Sequence, residues 1–284
     1  MEQTDDLAQA ARQWWRTSII DIEPGRINVR GYPIEQLIGR LSYAQMVWLM
    51  LRGDVPTAAQ GALLEAALVA AVDHGPQAPS ISIARMSVTC GIDINNAMAS
   101  AVNALGDVHG GAGQQCMELY EAVVGAAAQG PAGESAFGRA ADEVVGHYQS
   151  TVSPIVPGFG HRFHHRDPRS GRLLALLDAA RQRGEIEGRH LDAARAVEAE
   201  LRRRKGKPLP MNIDGATAAV YCELGFPAIL GRGLFILSRS VGVLAHAYEQ
   251  MQQGGRIKGP MPPRIAYTYT GVPERDFKGE PDKG

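Results

Sequence analysis

Apolar residues recur at three- and four-residue steps along almost the whole chain, and this period limits the possible folds more than any motif does. Leu37, Leu41, Ala44, Val47, Trp48 and Leu51 lie between Pro33 and Gly53, which predicts an amphipathic helix with a breaker at each end. Further helices are expected from Pro56 to about Val72, Gln114 to Ala128, Glu134 to Gln149, Gly171 to Arg183 and Leu191 to Lys205. The last of these stops at Gly206, with Pro208 beyond. The longest lies near the end of the chain, where Leu234, Leu237, Val241, Leu244, Tyr248 and Met251 form one stripe down to Gly254-Gly255. No strong alternating pattern competes with these helices, so the expected fold class is all-α. From Gly254 to Gly284 proline, glycine and charge increase, which predicts an extended arm and a frayed end.

A chain of 284 residues, 45% hydrophobic, can bury a sizeable core. Its 29 basic and 30 acidic residues leave a net charge of -1, too little to attract nucleic acid or an acidic membrane surface, so neither partner is expected. Cys90, Cys116 and Cys222 are odd in number and far apart, which suggests neither a disulfide framework nor a zinc ribbon and fits a reducing cytoplasm. The N-terminus carries Glu2, Asp5 and Asp6 without a basic patch and apolar run, and no window is expected to span a membrane, so the chain reads as soluble and unprocessed. Trp14, Trp15 and Trp48 are expected to cover the core or a subunit interface.

Five places set a titratable or anion-binding group beside a backbone breaker: Asp73-His74-Gly75-Pro76, His109-Gly110-Gly111, Gly160-His161-Arg162, Asn212-Ile213-Asp214-Gly215 and Pro263-Arg264. Catalytic groups commonly occupy such junctions between rigid elements. With Arg169 and Arg239 they supply three imidazoles, a carboxylate and three guanidiniums, which suits proton transfer beside a substrate with several carboxylates. Gly110-Gly111-Ala112-Gly113 falls between helices rather than after a strand, which argues against a dinucleotide site. The spacing of His161, His164 and His165 could suggest a metal, but no carboxylate ligand pattern accompanies it and no metal is expected. The basic run Arg202 to Lys207 suits either phosphates or the negative end of a helix.

Arg30-Gly31-Tyr32-Pro33-Ile34-Glu35-Gln36-Leu37, His109-Gly110-Gly111-Ala112, the run from Gly158-Phe159-Gly160-His161-Arg162 to Asp167-Pro168-Arg169, Asn212-Ile213-Asp214, and Arg239-Ser240-Val241-Gly242 with Ala245-His246 occur in the order expected of citrate synthases. Over about residues 25 to 270 the chain resembles that superfamily. Asp73-His74-Gly75-Pro76, Asn212 to Gly215 and the short length look more like its citrate-cleaving branch, citryl-CoA lyase and the matching portion of ATP-citrate lyase. The resemblance implies a large helical domain from 1–111 and 213–284, a small domain from 112–212 that closes over the substrate, and a C-terminal arm from about 254.

It also implies roles. His109 would hydrogen-bond the thioester carbonyl, Asp214 would move a proton at the acetyl carbon, and His161 would act at the keto or hydroxyl oxygen of the other substrate. His74, Arg169, Arg239 and Arg264 would hold carboxylates, Arg264 from the partner of a homodimer. Ile155, Val156, Pro157, Gly158, Phe159 and Gly160 would border the adenine of coenzyme A. No tightly bound cofactor is implied; the coenzyme A thioester is itself substrate or product. Citryl-CoA cleavage to acetyl-CoA and oxaloacetate is the expected reaction, with citrate synthesis or a related condensation, and a non-catalytic binder, as alternatives. His246, seven residues after Arg239, shares its helical face and would either orient that arginine or fill space.

Overall fold

The computed structural model describes residues 10–11, 13–131, 133, 136–160 and 165–276. A small antiparallel sheet opens the fold, β1 (Ile20–Glu23), β2 (Arg26–Val29) and β3 (Tyr32–Pro33), with Ile20 opposite Val29 and Asn28 opposite Pro33. The helical reading omits this sheet, although Ile20-Asp21-Ile22-Glu23 and Arg26-Ile27-Asn28-Val29 do alternate. Gly25, with φ of 78°, supplies the tight turn between them.

The helices are α1 (Ile34–Leu37), α2 (Tyr43–Arg52), α3 (Ala58–Ala70), α4 (Pro79–Thr89), α5 (Ile94–Asn103), α6 (Ala112–Gln129), α7 (Ala136–Thr151), α8 (Pro168–Gln182), α9 (Arg189–Lys205), α10 (Ile213–Glu223) and α11 (Ile229–Gln253). The single helix expected between Pro33 and Gly53 is divided. Gly39 turns the chain at a φ of 77°, and Ser42 then starts α2 with a reciprocal capping box to Gln45. Thr57 and Gln60 start α3 in the same way. The other expected helices form within a few residues of their predicted ends.

Three helices escape the periodic reading. Both α4 and α5 are short and built largely from small residues, which weakens the period. On α10 every residue from Gly215 to Cys222 is buried, so no polar face marks its turns.

The main core joins residues of α2 and α3 to α6 through α10, with Tyr120, Met117, Leu177, Leu191 and Val220 fully buried. A second cluster joins α4 and α5 to Val243 and Ala247 of α11. The apolar stripe on α11 is only partly internal. Leu234 is buried, whereas Leu237, Val241, Leu244, Tyr248 and Met251 are exposed, Val241 by 59%. Trp48 is in the core, but Trp14 and Trp15 are 80% and 83% exposed. Contrary to the sequence expectation, α11 is long and apolar enough by length and composition to cross a membrane. It packs against α3, α4, α5 and α6 on one side and buries Arg239, while most of its apolar stripe stays exposed. Residues 254–276 carry no helix or strand and are exposed, tied to the end of α4 by the Ile257 and Lys258 amides on the Thr89 carbonyl and hydroxyl.

Candidate active site

A cleft of about 660 Å³ opens where the turn before α4, the turn before α6, the start of α8, the start of α10 and the middle of α11 converge. His74, His109, Arg169, Asp214 and Arg239 all line it. Residues far apart in sequence are thus collected around one space, and each is aimed by local structure.

His109 ends a turn that Gly106 closes by donating its amide to the His109 carbonyl at 2.8 Å. Gly110 sits at a φ of 98°, and a side chain on Gly111 would meet the Asp107 backbone at 2.7 Å, so the chain reaches α6 only through glycines here. His109 Nε2 accepts the Ser80 amide at 3.2 Å and lies 3.0 Å from the Ser80 hydroxyl, at the first turn of α4. Burial, helped by the charge of Arg239, holds the imidazole below its ordinary pKa and hence neutral. With Nε2 accepting from an amide, the proton belongs on Nδ1. His109 is therefore set up as a neutral hydrogen-bond donor.

Asp214 occupies the second position of α10. Asn212 caps that helix, its side-chain oxygen accepting the amides of Asp214 at 3.0 Å and Gly215 at 3.3 Å. Burial raises the Asp214 carboxyl above its ordinary pKa despite the opposing pull of Arg239 and Arg169. A carboxyl of this kind can hold a proton at a pH where a surface aspartate would not.

The cationic side of the cleft has two differently held arginines. Arg239 is buried on α11, donates Nε to the Ala71 carbonyl at 3.1 Å and stacks 4.7 Å from the Phe235 ring centre. Arg169 forms a two-point pair with Asp167, at 3.0 and 2.8 Å, and Asp167 also caps α8 and accepts the Ile213 amide at 3.2 Å. That carboxylate thus ties the start of α8 to the start of α10, next to Asp214. His74 is exposed at the mouth.

Other expected residues lie elsewhere. His161 falls outside the described residues, as does His164 of the metal spacing. Arg264 is exposed on the C-terminal arm and does not line the cleft. The stretch Ile155 to Gly160 also leaves the cleft lining and braces its floor. Phe159 bridges Met211, the Asn212 amide donates to the Gly158 carbonyl at 3.0 Å, and the Asn212 side chain donates to the Gly160 carbonyl at 2.9 Å. A Cβ on Gly158, whose φ is 82°, would stand 2.5 Å from Cys116 Sγ and 3.0 Å from the Gly215 backbone. Gly158→Ala is expected to destabilise the fold by about 1–3 kcal/mol, read from the midpoint of chemical unfolding, because neither neighbour is a flexible chain end.

Arg203 and Arg204 of the basic run pair with Glu200 and Asp142, consistent with a solvated helix end. His246 contacts Asp73 and Arg85 rather than Arg239. Among the described residues no group of three or more metal-ligating side chains forms. Sequence reasoning missed Ser80 and Phe235, which set the tautomer of His109 and the plane of Arg239. Pro79 at the first position of α4 was the available signal for Ser80.

A family model described as the citrate synthase C-terminal domain matches residues 59–261. The chain belongs to the citrate synthase family. Among solved structures, citryl-CoA lyase from Hydrogenobacter thermophilus is 35% identical with a TM-score of 0.79, over 92% of this chain and 96% of that one. ATP citrate lyase from Methanothrix soehngenii, solved with citrate and coenzyme A, shares the fold at 21% identity and a TM-score of 0.75, over 90% of this chain and 42% of its own. Citrate synthase of Haloferax volcanii is 30% identical over 246 residues, which cover 84% of this chain and 57% of that protein. The family member described here thus spans just over half the length of the curated relatives it matches.

Proposed function

We infer that the protein is a citryl-CoA lyase, cleaving citryl-CoA to acetyl-CoA and oxaloacetate. One observation carries this reading: a neutral donor imidazole, a carboxyl with raised pKa and two fixed guanidiniums face the same cleft. In cleavage the substrate hydroxyl loses its proton and becomes the ketone of oxaloacetate. The carbon–carbon pair passes to the acetyl fragment as an enolate, whose oxygen His109 Nδ1–H stabilises. Asp214 then delivers its proton to the enolate carbon. Arg169, Arg239 and His74 hold carboxylates on the other fragment. His161 is our candidate for accepting the hydroxyl proton, and Ile155 to Gly160, with Ile155 76% exposed, for meeting the adenine. Closure of 112–212 over the ligand would exclude water from the enolate.

The match to citryl-CoA lyase, at 35% identity and a TM-score of 0.79, exceeds those to three solved citrate synthases, at 18–23% and 0.58–0.65, and favours cleavage without thioester hydrolysis. Citrate synthesis is the second reading, since the same donor and carboxyl serve the reverse step. Incubation with citryl-CoA separates them. Oxaloacetate released without free thiol supports the lyase, citrate with free coenzyme A supports the synthase, and no turnover defeats both.

A homodimer completes this reading. The exposed face of α11 continues onto Tyr43 and Val69, an apolar surface suited to a second copy, and the arm beyond it exposes Tyr267 by 91%. Arg264 on that arm would enter the partner's cleft. Arg264→Ala is expected to raise KM for the carboxylate substrate about ten- to a hundredfold, the scale of a lost charged hydrogen bond, with the dimer intact by sedimentation. Unaltered kinetics would remove Arg264 from the site.

A further inference from the structure

Beside the cleft, outside its lining, four charged or titratable side chains meet: Asp73, Arg85, His246 and Glu249. Asp73 directly precedes His74 at the cleft mouth. Its Oδ2 accepts the Gly75 amide at 3.0 Å, curling the turn around its own carboxylate. Its Oδ1 is buried and accepts no hydrogen bond from the described residues, and His246 Nε2 stands 3.3 Å from it, at ion-pair distance. On the other side of the ring, His246 Nδ1 stands 2.9 Å from Arg85 Nη1. A guanidinium only donates, so Nδ1 accepts and the imidazole proton sits on Nε2, the nitrogen nearer Asp73. Arg85, nearly buried on α4, is held in turn by Glu249 and by Gln253 Oε1 at 2.7 Å.

This chain of contacts joins three elements, and each also carries a residue of the cleft. The turn at 71–76 carries His74 and the Ala71 carbonyl that fixes Arg239. Helix α11 carries Arg239 itself, and α4 carries Ser80 against His109. At Gly242 the backbone of α11 approaches the Val72 carbonyl too closely for any Cβ, so a small rotation of the turn is transmitted to the helix. A core that only needed filling would take apolar side chains here. Directional groups instead fix one orientation of the turn.

We propose that His246, with Asp73 and Arg85, is a positioning set that orients His74 and Arg239 toward the substrate carboxylates, a role that rests on the reading of the cleft given above. His246 touches no substrate. Its loss should therefore weaken the carboxylate ligand selectively and spare the coenzyme A thioester. Calorimetric titration of the wild type, His246→Leu and His246→Gln with oxaloacetate and with acetyl-CoA tests this. His246→Leu should weaken oxaloacetate about tenfold or more, as expected for a lost hydrogen bond to a charged group, and leave acetyl-CoA within about twofold. His246→Gln, which offers a donor and an acceptor in one amide, should recover most of the loss. If the leucine variant does not fold, Asp73→Asn should show the same ligand-selective weakening. Unchanged oxaloacetate affinity, an equal loss for both ligands, or glutamine no better than leucine would overturn the proposal while the cleft reading stands. A wild type that binds no oxaloacetate would overturn both.

Discussion

Asp214→Asn is expected to lower kcat for citryl-CoA cleavage by about 10² to 10⁴, the range supplied by a positioned acid or base, while binding of the thioester changes little. Asparagine matches the shape of aspartate and leaves the Asn212 cap on α10 in place, so the loss should appear in turnover rather than in folding. The pH profile adds a signed test. In cleavage Asp214 must start protonated. Because burial raises its pKa, the active form persists above the ordinary carboxylate range and is lost as pH rises through the shifted value. In the synthetic direction the same group must start ionised, and activity would instead be lost as pH falls through that value. The Asparagine variant should lack this limb in either direction, which steady-state kinetics across pH would reveal.

His109→Leu is expected to cost about 10² to 10³ in kcat, as removal of one donor to a developing oxyanion does. Leucine preserves bulk but cannot donate, and it also strands the Ser80 amide that Nε2 now accepts. A thermal unfolding measurement on the same variant separates the two consequences. A modest drop in midpoint with the full loss of turnover is the expected result. Full activity would take His109 out of the chemistry.

The long amphipathic helices were legible because one face of each meets the core, which writes a 3.6-residue period into the sequence. Helix α10 was not, since neighbours surround it and its apolar residues show no preferred side. The site divides in the same manner. His109, Asp214, Arg169 and His74 stand beside glycines, prolines or helix starts, where local chemistry marks them, whereas Arg239 sits in the middle of α11 and is picked out by the family resemblance. Their orienting partners are harder to read: Pro79 and Pro168 mark helix starts beside Ser80 and Asp167 but do not show what those residues contact. Ser80 acts through a backbone amide, Ala71 through a carbonyl, and Asp167 through contacts with a helix 46 positions away, so only the folded arrangement discloses them. The stripe on α11 shows a further limit: an apolar period marks a face to be covered, but it does not distinguish the chain's own core from a second copy.

Cleavage of citryl-CoA in heavy water, followed by proton NMR and mass spectrometry, tests the central claim most directly. If Asp214 delivers a solvent-exchangeable proton to the enolate carbon, the acetyl-CoA released will carry one deuterium in its methyl group, with an equal amount of oxaloacetate and no free coenzyme A. Citrate and free coenzyme A, with no acetyl-CoA formed, would contradict it.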